Sequence, residues 1–136
     1  MEGIEEITDG PQILARVIRH DGLWQKGLNF FSKDKESIQV GTWGYEANKK
    51  LQAHSHNEVV REIPRTQEVI FVKQGKLKAN IFGKDDNFVA EVQLHGGDLI
   101  IMLEGGHSYE IIDDNTQVLE IKNGPYVGAE NDRRRF

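Results

Sequence analysis

His54 and His56 stand on either side of Ser55 in the stretch Gln52–His56. If that stretch is an extended strand, its side chains alternate between faces, so the two imidazoles share one face and aim at a common point while Ser55 faces away. Standing alone, such a pair reads more readily as two polar residues on an exposed strand. Glu68 opens a run of Val, Ile and Phe that closes at Gly75, the turn into Lys76. Further on, a Gly-bounded apolar run from Gly97 to Gly106 leads to His107, and Tyr109 lies two residues beyond it on the same strand face. A tyrosine there projects inward, as a hydrogen-bond donor, as an acid, or as plain core. Arg61 and Arg65 lie between the histidine pair and Glu68. Their planar guanidinium groups bind carboxylate or phosphate through two parallel hydrogen bonds. Overhanging a pocket, either would hold an anionic group; in a solvated loop, they would pair with Glu58 or Glu62. Trp43 and Tyr45 are candidates for a pocket wall, although aromatic residues in strands more often belong to a core.

Taken together, the two stretches resemble the paired motifs of the cupin superfamily. The first motif of that family runs His-x-His, then Glu, then six residues and Gly, and the interval from Glu68 to Gly75 fits it. The family usually places three or four residues between the second His and the Glu, whereas eleven, Asn57 to Gln67, intervene here. The second motif fits in part: Leu103 stands where the family has Pro, His107 arrives one residue early, and Ile111 occupies the Asn position. The likeness spans residues 50 to 111.

The resemblance implies an all-β fold, a double-stranded β-helix (jelly-roll, cupin) barrel. Residues 1–136 then form a single cupin domain, with 1–11 as an N-terminal leader or edge segment and 126–136 as a C-terminal tail. It also implies His54, His56, Glu68 and His107 as metal ligands, with Glu58 a competitor for the place of Glu68. Three imidazoles and one carboxylate suit one divalent transition metal, Fe, Mn, Ni, Co or Zn, and leave coordination positions open for a ligand. Cupins include dioxygenases, isomerases, epimerases and decarboxylases, so the reaction stays open. The expectation is a metal-dependent enzyme acting on a small polar or anionic molecule, sugar-related in kind. In it Tyr109 would be catalytic and Arg61, Arg65 and Trp43 would bind substrate. Two alternatives stand beside it: a non-catalytic metal- or ligand-binding module, and a metal-free sugar-nucleotide epimerase-like cupin that uses a His as base.

The elements that must position these residues read as short strands. Ile13 to His20 and Gly27 to Phe31 are rich in β-branched and aromatic residues, and Ile38, Val40 and Thr42 alternate with polar neighbours up to Gly44. Leu77, Ala79 and Ile81 alternate strictly with Lys76, Lys78 and Asn80. After the turn at Gly83–Asn87 the alternation resumes through Phe88, Ala90, Val92 and Leu94, which predicts a hairpin. Strands follow over 99–103, through His107, Tyr109 and Ile111, and over 117–122. No amphipathic helix of ten or more residues is legible. His20 and His95 sit beside turn glycines and are assigned no chemistry. Arg133–Arg135 is expected to be a frayed tail or a patch facing a second subunit.

Composition narrows the classes. A chain of 136 residues suits one domain with a real core. With no Cys, disulfides and thiolate metal sites are excluded. A net charge of −5 argues against a nucleic-acid surface. The acidic start Met1–Glu6 lacks a signal-peptide apolar run, so a cytoplasmic protein without a membrane span is expected. A homodimer is expected as well, because the segment before Asp9–Gly10 has no evident strand partner and open sheet edges need cover.

Overall fold

In this computed structural model, which describes residues 3–136, the alternation read along the chain resolves into antiparallel strands. In chain order these are β1 (Ile4–Asp9), β2 (Gln12–Ile18), β3 (Gly27–Phe30), β4 (Gly41–Gly44), β5 (Glu68–Gln74), β6 (Lys76–Phe82), β7 (Phe88–His95), β8 (Leu99–Met102), β9 (Gly106–Ile111) and β10 (Gln117–Lys122). Two single-turn helices, α1 (His20–Leu23) and α2 (Ala129–Asp132), complete the regular structure apart from a 3-10 turn at Lys84–Asp86. The protein is therefore all-β. No helix among the described residues is long and apolar enough to cross a membrane.

Three sheets form: β1-β2-β8-β5-β10, β7-β6-β9, and the small β3-β4 pair. The first two face each other, and the reason lies in the period-2 pattern. Ala15 and Val17 of β2, Ile70 and Val72 of β5, and Ile100 and Met102 of β8 meet Leu77, Ala79 and Ile81 of β6 and Val92 and Leu94 of β7 in one buried cluster. The opposite face of the large sheet is apolar too. Ile18, Val69, Leu99 and Ile101 pack there against Leu23, Phe31 and Ile38 from the connection before β4. Being buried on both faces explains why β8 reads as the unbroken apolar run Leu99–Met102. Gly75, at φ +91°, makes the β5–β6 turn, and a Cβ there would meet Thr116 Oγ1 at 2.2 Å. Only glycine suits that position.

Three expectations are corrected. Residues 4–9 are not without a strand partner: Ile4–Asp9 pairs antiparallel with β2 as the outer strand of its sheet, the edge segment rather than the leader of the two readings, and Ile7 is buried in the inter-sheet core. This removes one of the two reasons given for a homodimer. The histidine stretch is not a strand: Gln52–His56 has no regular structure, and residues 45–66 are exposed throughout. Its alternation finds no apolar face to bury, since Leu51, Val59 and Val60 are themselves exposed. Finally, no strand pairing joins the two large sheets, so among the described residues the expected barrel is not closed. The outer strands are β1 and β10 in the larger sheet and β7 and β9 in the smaller one.

Candidate active site

Between the two sheets, on the side where β9 and β10 are edges, opens a cleft of about 1300 Å³. Strand register decides what enters it. On β9, His107, Tyr109 and Ile111 lie opposite Ile81, Ala79 and Leu77 of β6, all three buried in the inter-sheet core, so they share the inward face. On β5, Glu68 leads the inward series continued by Ile70 and Val72. On β10, Lys122 pairs with Glu68 and Glu120 with Ile70, so both line the cleft.

Glu68 and His107 thus come from opposite sheets and meet. Nε2 of His107 lies 3.0 Å from Oε1 of Glu68. The Tyr109 hydroxyl donates to the same oxygen at 2.7 Å. Only 6% of Glu68 is exposed, so its charge is held by these partners rather than by water. Burial works against ionisation, but the hydrogen bonds from His107 and Tyr109, with the nearby charges of His107 and Lys122, hold its carboxyl below the ordinary carboxylate value. Burial, then the Glu68 charge, push the Tyr109 phenol well above its usual value, so that it stays a donor. The entrance to β5 is fixed by side chains clasping backbone: Asn123 Oδ1 accepts from Gln67 N at 2.7 Å, and Gln67 Oε1 accepts from Ile38 N at 3.0 Å.

The other expected site residues fare differently. His54 and His56 project from the exposed segment with ring centroids 5.2 Å apart, the first held by its own neighbour Gln52, whose carbonyl lies 3.0 Å from Nδ1. Among the described residues no three His, Asp or Glu side chains are grouped so as to hold a metal. The four expected ligands therefore do not converge in this conformation; two of them, Glu68 and His107, do. Glu58 is exposed and does not take the place of Glu68. Arg65 lines the cleft, but its guanidinium is paired with Glu104 at the rim. Arg61 is exposed and lies outside the cleft. Trp43 is 58% exposed on β4, beside Tyr45 at 6.1 Å, and does not line the cleft either. On β4 the inward side chain is Thr42, buried and donating to Leu23 O, so its neighbour Trp43 alternates out to solvent.

What the sequence reading missed is the C-terminal tail. Arg134 forms a two-point ion pair with Asp86 at 2.9 and 2.6 Å, and its guanidinium lies 5.4 Å from the Phe136 ring centroid. Phe136 in turn meets Phe82 edge-on at 5.2 Å. It rests on Gly106, where a Cβ would come within 2.6 Å of the ring. The tail is thus pinned against the cleft rather than frayed, and the aromatic residue closing the arginine run was the available signal.

The fold and the site define an all-β protein with a cleft of mixed polar and apolar lining between two antiparallel sheets. Compared with protein-family models, with curated proteins and with solved structures, the chain matches none.

Proposed function

We propose that this chain is a cupin whose inter-sheet cleft binds a small polar or anionic molecule, and that His107, Glu68 and Tyr109 are the groups that act on it. The observation that supports this most is the single Glu68 oxygen shared by His107 Nε2 at 3.0 Å and Tyr109 hydroxyl at 2.7 Å on the wall of the cleft. A carboxylate that accepts from one imidazole nitrogen fixes the tautomer and leaves the other nitrogen, Nδ1, able to take a proton from a ligand. Tyr109, kept protonated, is the complementary donor. That arrangement favours acid–base chemistry at a carbon or hydroxyl of the ligand, as in the epimerase-like alternative, with Glu68 orienting His107.

To test it, a panel of small hydroxy-acids and sugar phosphates is titrated into the protein while amide resonances are followed. The expected result is binding that shifts residues 68–70 and 106–111 and weakens about tenfold or more in Glu68→Gln, where His107 and Tyr109 lose the carboxylate that orients them. Binding that maps to residues 45–62, outside the cleft lining, and ignores Glu68→Gln would sink the reading.

A second reading adds a divalent transition metal held by His54, His56, Glu68 and His107. Its support is the motif pair, the adjacency of the two exposed imidazoles at 5.2 Å, and the unpaired edge of β9, along which the histidine segment could be laid beside His107. The residues do not fit a metal as they stand here, so no chemical step is derived through one. Elemental analysis of protein purified without a metal-affinity tag decides this reading. It expects metal near one equivalent in the wild type and loss in both His54→Ala and His107→Ala; unchanged content in His54→Ala rules it out.

A further inference from the structure

The cleft is cationic in an acidic chain. Five Lys and Arg side chains line it against three carboxylates, although the whole chain carries a net charge of −5. Three of those cations are already committed: Arg65 to Glu104, Lys122 to Glu120 at 3.7 Å, and Arg134 to Asp86. The remaining two, Arg133 and Arg135, form no ion pair among the described residues and still line the cleft. They alternate along the tail with its two anchors, Arg134 and Phe136. The anchoring is built into the rest of the chain, because Gly106 leaves room for the Phe136 ring and Asp86 receives both guanidinium nitrogens of Arg134. Ordering four terminal residues costs conformational entropy. Here the ordering sets two unpaired guanidinium forks at the mouth of the cleft.

We propose that Arg133 and Arg135 are the oxyanion-binding residues of this cleft, holding a carboxylate or phosphate group of the ligand whose reactive part faces His107 and Glu68. The inference rests on the cleft being the binding site. It moves the anion-recognition role from Arg61 and Arg65 to the tail. A guanidinium beside a carboxylate has its charge partly offset and some of its five N–H donors already used, whereas an unpaired one presents its whole fork and full charge to a ligand's oxyanion.

The experiment follows amide and arginine Nε resonances during titration with inorganic phosphate and, separately, malonate, at constant ionic strength. Three proteins are compared: the wild type, Arg133→Ala/Arg135→Ala, and Arg61→Ala/Arg65→Ala. In the wild type, shifts are expected at residues 106–109 and at the Arg133 and Arg135 side chains. Affinity falls at least tenfold in the tail variant and less than twofold in the loop variant. The stronger of the two probes identifies the oxyanion as phosphate or carboxylate. The tail variant keeps Arg134 and Phe136, so its unperturbed resonances report that the tail is still docked. Cleft shifts of equal affinity in the tail variant overturn this assignment and leave the cleft standing as a binding site. Absence of cleft shifts with both probes overturns it as well, while the cleft reading is judged separately by the Glu68→Gln comparison with hydroxy-acids.

Discussion

One oxygen atom of Glu68 receives the imidazole of His107 and the phenol of Tyr109, and removing either donor should be felt at that carboxylate. In Tyr109→Phe the hydrophobic ring stays and only the hydroxyl is lost, so packing is kept and the charged form of Glu68 loses one partner. We expect its pKa to rise toward the ordinary carboxylate value, because one of the hydrogen bonds that hold it down is gone. A carboxyl-carbon NMR titration measures it directly, and a pKa that stays put or falls would mean that Tyr109 does not support the charge. The two residues were legible as chemistry from their types and from strand parity: Tyr109 follows His107 by two. That Glu68 shares their cleft followed from no sequence pattern other than the family likeness, because it comes from the opposite sheet.

Arg16 of β2 is an element-scale device. It is 3% exposed, and it donates to Phe31 O at 2.7 Å, to Glu36 Oε1 at 2.8 Å and to Glu6 Oε2 at 3.0 Å, tying β1 and β2 to the loop before β4. Truncation in Arg16→Ala leaves the Glu36 carboxylate, with 8% of its side chain exposed, without its cation. Breaking a buried pair from one side costs about 3–5 kcal/mol, which urea denaturation would register as a lower midpoint. The same network gives a pH signature. Burial opposes the charge of Glu36, yet the hydrogen bonds from Arg16 and from the Lys33 backbone amide, at 2.7 Å, hold its carboxyl below the ordinary 4.5. A folded-state value below the unfolded one means a contribution fully present above about pH 4.5 and lost as pH falls through the folded value. Denaturation midpoints measured from pH 6 downward should therefore fall less steeply in Glu36→Gln than in the wild type. Parallel curves would refute the assignment. The strands around this device were read correctly from alternation. β1 was read only as a leader or edge segment with no evident partner, because its Glu-rich sequence hides a pairing that depends on β2 folding back at Gly10.

At the scale of the whole molecule, two packed sheets hold the core and an exposed segment, residues 45–62, lies outside the core and the cleft. Backbone amides without partners exchange freely, so hydrogen exchange there should approach the unprotected rate while β5, β6 and β8 exchange slowest. If the metal reading holds, adding Mn2+ or Ni2+ should protect residues 52–57; protection that leaves them untouched would count against it. The sequence by itself determined the all-β class, nine of the strands to within a few residues, and the inward parity of His107 and Tyr109, because strand alternation is a local property of the chain. It also placed a strand at Gln52–His56, where the same local pattern misleads: alternation makes a strand only when a neighbour supplies hydrogen bonds and a face to bury. Only the tertiary structure decided which carboxylate meets which imidazole, that Arg65 is already spoken for by Glu104, and that the terminal arginines belong to the cleft. Those contacts join residues dozens of positions apart, and they are fixed by which sheet edges face each other, a quantity no local pattern carries.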